Sequence, residues 1–372
     1  MALLPGYATA EGTARYAKRF EGRLAAGQFR NLQSLKASSI GLGTYLGDPD
    51  DTTDRLYREA VIRAVELGCN VVDTAINYRF QRSERAIRKA LLDLLDRGYR
   101  RDELVIATKG GFIPFDHEPP LDPSAYFITT FVETGIADFP DRVAGCHIIT
   151  PRYILNQIET SRRNLGLDCI DIYYLHNPET QLQEISRDAF LRRIQEVFGA
   201  LEGAVSEGKI RLYGTATWNG YRSLPKSREY LSLAEMVRSA QDVGGPNHHF
   251  RTIQLPYNLM MPEAYTIENQ TVNGRRMTVL EAAGIENISV VSSAAVAQRR
   301  LTQGLPDWLR QSFPALSTDA QRSVQYVRST PGIGVALVGM KQKAHVEENL
   351  ATAQFPPATP DQIRQLSDRG SS

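Results

Sequence analysis

The chain has 372 residues, 42% hydrophobic and 23% charged, a make-up that fits a soluble globular protein with room for one large barrel or two ordinary domains. Its 43 Lys and Arg against 42 Asp and Glu leave a net charge of +1, which excludes a global bias toward nucleic acid or acidic membranes. No apolar run nears the roughly 20 residues that span a bilayer, and MALLPGYATAEG lacks the basic flank and long apolar stretch of a signal peptide, so a cytoplasmic protein is expected.

Residues 1–37 show little periodicity and read as an N-terminal extension, a hairpin or coil plugging one end of the core. SIGLGTYL (39–46) then reads as a strand. Apolar residues at 56, 57, 60, 61, 64, 65 and 67 give a helix over 53–67 that Gly68 stops. Strand 70–76 is followed by helix 83–97, with Ser83 as its expected N-cap and Gly98 as its end, and by strand 103–108. Segment 110–150 breaks the rhythm. It carries Pro114, Pro119, Pro120, Pro123 and Pro140 among Phe112, Phe115, Tyr126, Phe127 and Phe131, and reads as an ordered insertion over the strand ends.

The alternation resumes with helix 151–165, which opens on Pro151, and continues through strand 169–175, helix 187–207, strand 210–216, helix 231–242 and strand 251–257. An irregular stretch, 258–276, precedes helix 277–283, strand 288–293, helix 318–329, strand 334–339 and helix 343–350. Eight strands alternating with helices predict parallel pairing through right-handed crossovers, and in about 300 residues fit a (β/α)8 barrel over 38–355 better than an open sheet. Residues 356–372 read as a Pro-rich tail. Cys69, Cys146 and Cys169 are far apart and not in metal or disulfide spacing, and Cys69 and Cys169 border strands, so reduced thiols are expected.

Two motifs mislead. GLGTYLG (41–47) has glycines, but its third comes one residue late and Asp48-Pro49 does not open a helix from the loop, so it is not a dinucleotide-binding turn. GAVSEGK (203–209) matches a phosphate loop until Ile210 stands where Ser or Thr must hold Mg²⁺, and Gly208 there reads as a helix C-cap.

The chemistry lies elsewhere. Asp73, Tyr78, Lys109 and His176 each fall at or just past the end of a predicted strand. At the same ends of successive parallel strands they meet in one pocket, and together they can deliver a proton to a carbonyl oxygen. GLGTY (41–45), DTAINY (73–78), ATKGG (107–111), DIYYLHNP (171–178), GKIRLYGTATW (208–218), IQLPYNL (253–259) and ALVGMKQKAHVEENL (336–350) occur in an order that resembles the aldo-keto reductase family.

That resemblance implies a (β/α)8 barrel that exchanges hydride between a nicotinamide cofactor and a carbonyl or alcohol. It places the family's tetrad on Asp73, Tyr78, Lys109 and His176. Tyr78 is then the acid, Lys109 lowers the pKa of the phenol, Asp73 holds Lys109, and His176 hydrogen-bonds the carbonyl oxygen.

For the cofactor, the resemblance implies Gly43, Thr44, Tyr45 and Asp73 near the ring, with Gln254 and Thr217 on the carboxamide. Ala216 and Ser293 stand where the family has a Ser and a stacking aromatic. The pyrophosphate is expected along 293–301 with Arg299 and Arg300. Gly339, Lys341, Gln342, His345, Glu348 and Asn349 match the adenosine end, where Lys341, Lys343 and the start of helix 343–350 favour NADPH.

The expected partner is a small-molecule carbonyl or alcohol, held in an apolar pocket shaped by 110–150, 258–276 and 302–317, including Trp308. The altered ring contacts leave open a second reading, a cofactor-binding barrel with a regulatory or redox-sensing role. A third is an isomerase or lyase using Tyr78 and Lys109 without hydride chemistry.

Overall fold

The computed structural model describes residues 3–370, so residues 1–2 of the expected extension and 371–372 of the expected tail lie outside the described residues. Eight parallel strands close into a barrel: β1 (Ile40–Gly43), β2 (Val71–Asp73), β3 (Val105–Gly110), β4 (Ile170–His176), β5 (Ile210–Ala216), β6 (Phe250–Pro256), β7 (Ser289–Ser293) and β8 (Ile333–Gly339). β8 pairs with β1, so every strand has two neighbours, and the (β/α)8 expectation holds. The helices Asp51–Glu66, Arg82–Asp96, Pro151–Leu165, Arg187–Ser206, Leu233–Gly244, Val279–Ile285, Asp319–Ser329 and Lys343–Leu350 follow the strands in order.

Local chemistry starts and stops these helices. Asp50, Ser186, Ser232, Thr278 and Thr318 each accept a hydrogen bond from a first-turn N–H with their side chains. Gly208 (φ 72°) closes the helix before β5, the position that imitates a phosphate loop. The expected cap at Ser83 is wrong. The helix starts at Arg82 behind Gln81, which sits at φ 68°, and the buried Ser83 hydroxyl instead donates to the Thr44 carbonyl at 2.9 Å. It ties that helix to the loop after β1.

The core has two layers. Ile40, Leu42, Val72 and Ile106 belong to the large outer cluster packed under the helices. The barrel interior is filled by Val71, Val105, Ala107, Ile172, Tyr174, Val291, Val335 and Leu337. Leu32, Leu35 and Ala37 join that inner cluster from an antiparallel hairpin, Phe29–Leu32 with Leu35–Ser38. Gln33, at the turn, donates to the Arg251 and Asn287 carbonyls near the starts of β6 and β7. The hairpin therefore stoppers the N-terminal end of the barrel, each buried Leu contributing about 1.5–3 kcal/mol, and leaves the opposite end for the site.

Further segments depart from their sequence reading, among them the N-terminal extension, which holds the helix Ala10–Lys18 besides the hairpin. Residues 70–76 shorten to three strand residues because the chain turns after Asp73, although Thr74 N–H and Ile76 N–H still bond the Ala107 and Lys109 carbonyls. The stretch 258–276 holds a second hairpin, Gln270–Val272 with Arg275–Met277, turning on Asn273 and Gly274 in left-handed backbone. The expected tail carries the helix Pro360–Gly370, whose Ile363 and Leu366 are buried and whose Ser367 hydroxyl meets that of Tyr326 at 3.0 Å. Among the described residues, no helix is long and apolar enough to cross a membrane.

Candidate active site

The ends of the barrel strands line a cleft of about 430 Å³. Parallel register aligns those ends: Gly43 with Asp73, Asp73 with Ala107, His176 with Ala216, and Ala216 with Gln254. Strands β1, β2 and β4 to β8 so deliver Gly43, Asp73, His176, Ala216, Gln254, Ser293 and Gly339 to one rim, with Thr44, Tyr45, Tyr78 and Thr217 just beyond it.

Lys109 lies behind this rim, buried, with Nζ 2.5 Å from Asp73 Oδ1, 2.7 Å from the Thr74 carbonyl and 3.4 Å from the Tyr78 hydroxyl. The second Asp73 oxygen accepts from Gln254 Nε2 at 2.8 Å. Both carboxylate oxygens are thus engaged, one by a cation and one by an amide, as a buried charge requires. Asp73 and the Tyr78 hydroxyl hold the Lys109 pKa above its ordinary value although burial works against it.

Tyr78 departs from expectation in one respect. Burial pushes its pKa up by more than the Lys109 ammonium pulls it down, and Asp73 adds to the rise, so the phenol stays neutral across physiological pH. Its ring lies edge-on to Tyr45 at 5.0 Å and to His176 at 5.8 Å, with the Lys109 ammonium 4.9 Å from its centre. Burial, reinforced by Lys109, pushes the His176 pKa well down, and its buried Nδ1 has no hydrogen-bond partner. The four residues proposed from sequence are therefore within reach of one another.

The insertion sends only Phe112 to the cleft wall, its ring 5.1 Å from that of His176. Phe127 and Phe131 are buried in the outer core, and none of 258–276 or Trp308 lines the cleft, contrary to the expected pocket. Tyr45 and Trp218, both exposed, supply the aromatic wall instead, with Leu46 and Val296. The sequence reading missed Trp218; its place two residues past the end of β5, closing the motif GKIRLYGTATW, is the signal that marks it as near the rim. The turn beyond it is fixed by buried Glu179, whose Oε1 accepts from the N–H groups of Trp218, Asn219 and Gly220 at 2.7, 3.0 and 3.2 Å.

Of the residues expected at the cofactor, Gly43, Thr44, Tyr45, Asp73, Thr217, Gln254, Ser293, Arg299 and Gly339 line the cleft. Arg300 is exposed outside it. Lys341, Gln342, His345, Glu348 and Asn349 stand past the end of β8 or on the helix Lys343–Leu350, beyond the cleft wall. The loop after β7 is strained, with Ala294, Ala297, Gln298 and Arg299 at φ 55°, 45°, 52° and 82°. Left-handed backbone at non-glycine residues costs about 1–3 kcal/mol each and concentrates at ligand sites. Asn258 Nδ2 braces the loop on the Ala294 carbonyl at 2.9 Å.

A second histidine stands close by. His147 is fully buried, which pushes its pKa down to about 4. The unfolded chain takes up that proton near pH 6.5 and the folded chain only near 4, so the contribution is complete above 6.5 and is lost as pH falls through this window. Urea unfolding should show this site alone removing about 3 kcal/mol between pH 7 and 4, and His147→Gln should flatten that part of the slope.

The model of the aldo/keto reductase family matches residues 39–245. The chain belongs to the aldo/keto reductase family. It is similar to an NADH-specific methylglyoxal reductase of Escherichia coli, 29% identical over 207 residues that make up 54% of each chain, and so spans about half the length of that relative. A putative voltage-gated potassium channel subunit beta of Schizosaccharomyces pombe is 20% identical over 92% of both chains. Among solved structures, an aldo/keto reductase from Klebsiella pneumoniae in complex with NADP and acetate shares the fold at a TM-score of 0.60 and 20% identity, covering 93% of this chain and 95% of its own. The glycerol dehydrogenase of Gluconobacter oxydans does so at 0.63 and 19%, covering 93% and 95%. Within this aldo/keto reductase the family model stops before β6, so Gln254 and the whole strained loop lie beyond it.

Proposed function

We propose that this chain is an NADPH-dependent oxidoreductase that reduces an aldehyde or ketone to an alcohol, or runs the reverse, with Tyr78 as the proton donor. The observation that carries the reading is Tyr78 on the cleft with its ring edge-on to that of His176 and its hydroxyl 3.4 Å from Lys109 Nζ, which Asp73 fixes from behind.

The cleft suits a nicotinamide cofactor. Thr217 Oγ1, on the cleft wall, and Asn349 Oδ1, on the helix past β8, are buried without partners, the kind of vacancy that an amide or hydroxyl-rich ligand fills. Thr217 and Gln254 would hold the carboxamide, residues 293–299 the pyrophosphate, and Lys341 with the helix Lys343–Leu350 a 2′-phosphate. When bound, the reduced nicotinamide supplies a hydride to the carbonyl carbon.

The chain's own residues do the rest. Neutral His176 donates to the carbonyl oxygen and fixes its direction. Tyr78 gives that oxygen its proton and regains one from solvent. Lys109 steadies the negative charge left on the phenolic oxygen, and Asp73 keeps Lys109 charged. Tyr45, Phe112 and Trp218 form an apolar wall for the rest of the substrate.

Mixing the protein with NADPH and a reactive aldehyde, then following cofactor absorbance, tests the reading, and turnover is the expected outcome. In titrations NADPH should bind more tightly than NADH. NADH binding at least as tightly would refute the nucleotide assignment, a real alternative given the relative named as NADH-specific. The second reading, a cofactor-binding barrel with a regulatory or redox-sensing role, draws on the channel-subunit relative and on Ala216 and Ser293, which line the cleft where the family resemblance calls for a Ser and a stacking aromatic. Binding without turnover is its signature.

A further inference from the structure

We propose that His147, on the segment between β3 and the helix Pro151–Leu165, is a positioning residue for His176, and that Gln181, oriented by Arg193, holds the far side of its ring. The inference rests on the reading of His176 given above.

The chain of hydrogen bonds has only one consistent assignment. A guanidinium is donor only, and Arg193 NH1 bonds Gln181 Oε1, so the amide oxygen of Gln181 faces Arg193. Its amide nitrogen therefore faces His147, 2.8 Å from Nδ1 and 3.1 Å from the His147 carbonyl. Nδ1 must accept, so the ring proton sits on Nε2, which donates to the His176 carbonyl oxygen at 2.7 Å. The His176 carbonyl can only accept and so requires the same proton; His147 thus links the helix Arg187–Ser206, through Gln181, to the peptide at the end of β4, whose N–H, that of Asn177, donates to the Ala216 carbonyl at 2.6 Å.

That peptide plane matters because little else aims the His176 ring. With Nδ1 buried and partnerless, the ring has no hydrogen bond on that side. Its direction follows from its backbone and from two edge contacts, Tyr78 at 5.8 Å and Phe112 at 5.1 Å. Phe112 also packs edge-on against His147 at 4.9 Å. His147 therefore adds a bond to the His176 carbonyl beside the ladder bond to Ala216, and supports one of the two rings that flank His176. The fit leaves no slack: a methyl group at Gly111 would stand 2.9 Å from His147 Nε2 and 3.0 Å from the His176 oxygen. His147 itself is walled off from the cleft and moves no proton.

The test compares His147→Phe, which keeps the ring and loses both bonds, with His147→Gln, whose amide reproduces them. In the full chain labelled with ¹⁵N-histidine, which holds six histidines, the ring-nitrogen shifts of His176 should move in His147→Phe and stay at wild-type values in His147→Gln. In the same pair kcat should fall roughly 10- to 100-fold and recover respectively, the scale of a misplaced contact at a reacting centre, with NADPH affinity unchanged.

A merely structural histidine would lower the melting temperature of His147→Phe and leave both the His176 shifts and kcat intact; that result overturns the proposal. Should His147→Phe not fold, Gln181→Leu serves instead: it removes the donor to Nδ1 and should shift the ring-nitrogen signals of both His147 and His176, whereas unchanged His176 signals overturn the positioning role. If the wild-type protein turns over no carbonyl, the reductase reading fails and the ring-nitrogen comparison alone decides the positioning role.

Discussion

Tyr78→Phe is expected to cut carbonyl reduction by roughly 10²–10⁴-fold, the usual worth of a positioned acid, while cofactor affinity and fold stay near wild type. The asymmetry follows from what the hydroxyl touches. Lys109 loses only its longest contact, at 3.4 Å, and keeps Asp73 at 2.5 Å and the Thr74 carbonyl at 2.7 Å. The ring contacts with Tyr45 and His176 need no oxygen. The stability change should therefore stay within about 1 kcal/mol, the net worth of one hydrogen bond.

The pH profile gives a second check on the same variant. Burial keeps the Tyr78 pKa above its ordinary value and the His176 pKa well below its own, so neither group changes charge between pH 7 and 9. Wild-type kcat/KM for reduction should be flat there and should fall only above about pH 10. In Tyr78→Phe the residual rate should lose that alkaline fall. Steady-state kinetics with a cofactor titration decide it, and full activity in Tyr78→Phe removes the acid assignment.

The barrel was legible because its signals are local. The alternation of apolar runs with helical spacing, stopped by Gly68, Gly98 and Gly208, requires no knowledge of distant contacts. Strand ends were less legible: Ala75 and Ile76 are as buried as any strand residue but belong to the turn after β2, and hydrophobicity alone cannot distinguish the two. Asn273-Gly274 is a hairpin signal that the sequence obscures, because its short flanking runs, Gln270–Val272 and Arg275–Met277, hide inside a polar stretch.

For the site, residue type and strand position pointed to Asp73, Tyr78, Lys109 and His176. Residue type could not say which aromatics face the cleft. Phe127 and Phe131 turn into the outer core while Tyr45 and Trp218 face the mouth, a matter of loop path alone. The balance between burial and the Lys109 charge at Tyr78 likewise depends on depth, which sequence does not encode locally.

Lys109→Met is expected to destabilise the protein by about 3–5 kcal/mol, the cost of leaving one member of a buried ion pair without its partner. Asp73 would keep a full charge against a single amide, that of Gln254, and the Thr74 carbonyl would lose its donor. Asp73→Asn should be costly too, since burial then lowers the Lys109 pKa with only Tyr78 still raising it. In the wild type that pKa is raised, so the stability it contributes is present at every pH below about 10.4 and is lost only as pH rises through the folded value. In Asp73→Asn burial, the largest influence on Lys109, is expected to carry the folded pKa below the unfolded one, so stability should instead increase with pH through the alkaline range.

The double variant, Asp73→Asn with Lys109→Met, removes both charges and with them most of the unpaired-charge penalty. Its loss should fall short of the sum of the single losses by more than about 2 kcal/mol, a coupling reserved for groups in direct contact. Denaturant unfolding of the four proteins at pH 7 and pH 9 measures the cycle. Strict additivity would mean that the 2.5 Å contact contributes nothing, and with it would go the argument that Asp73 keeps an ammonium beside the Tyr78 hydroxyl.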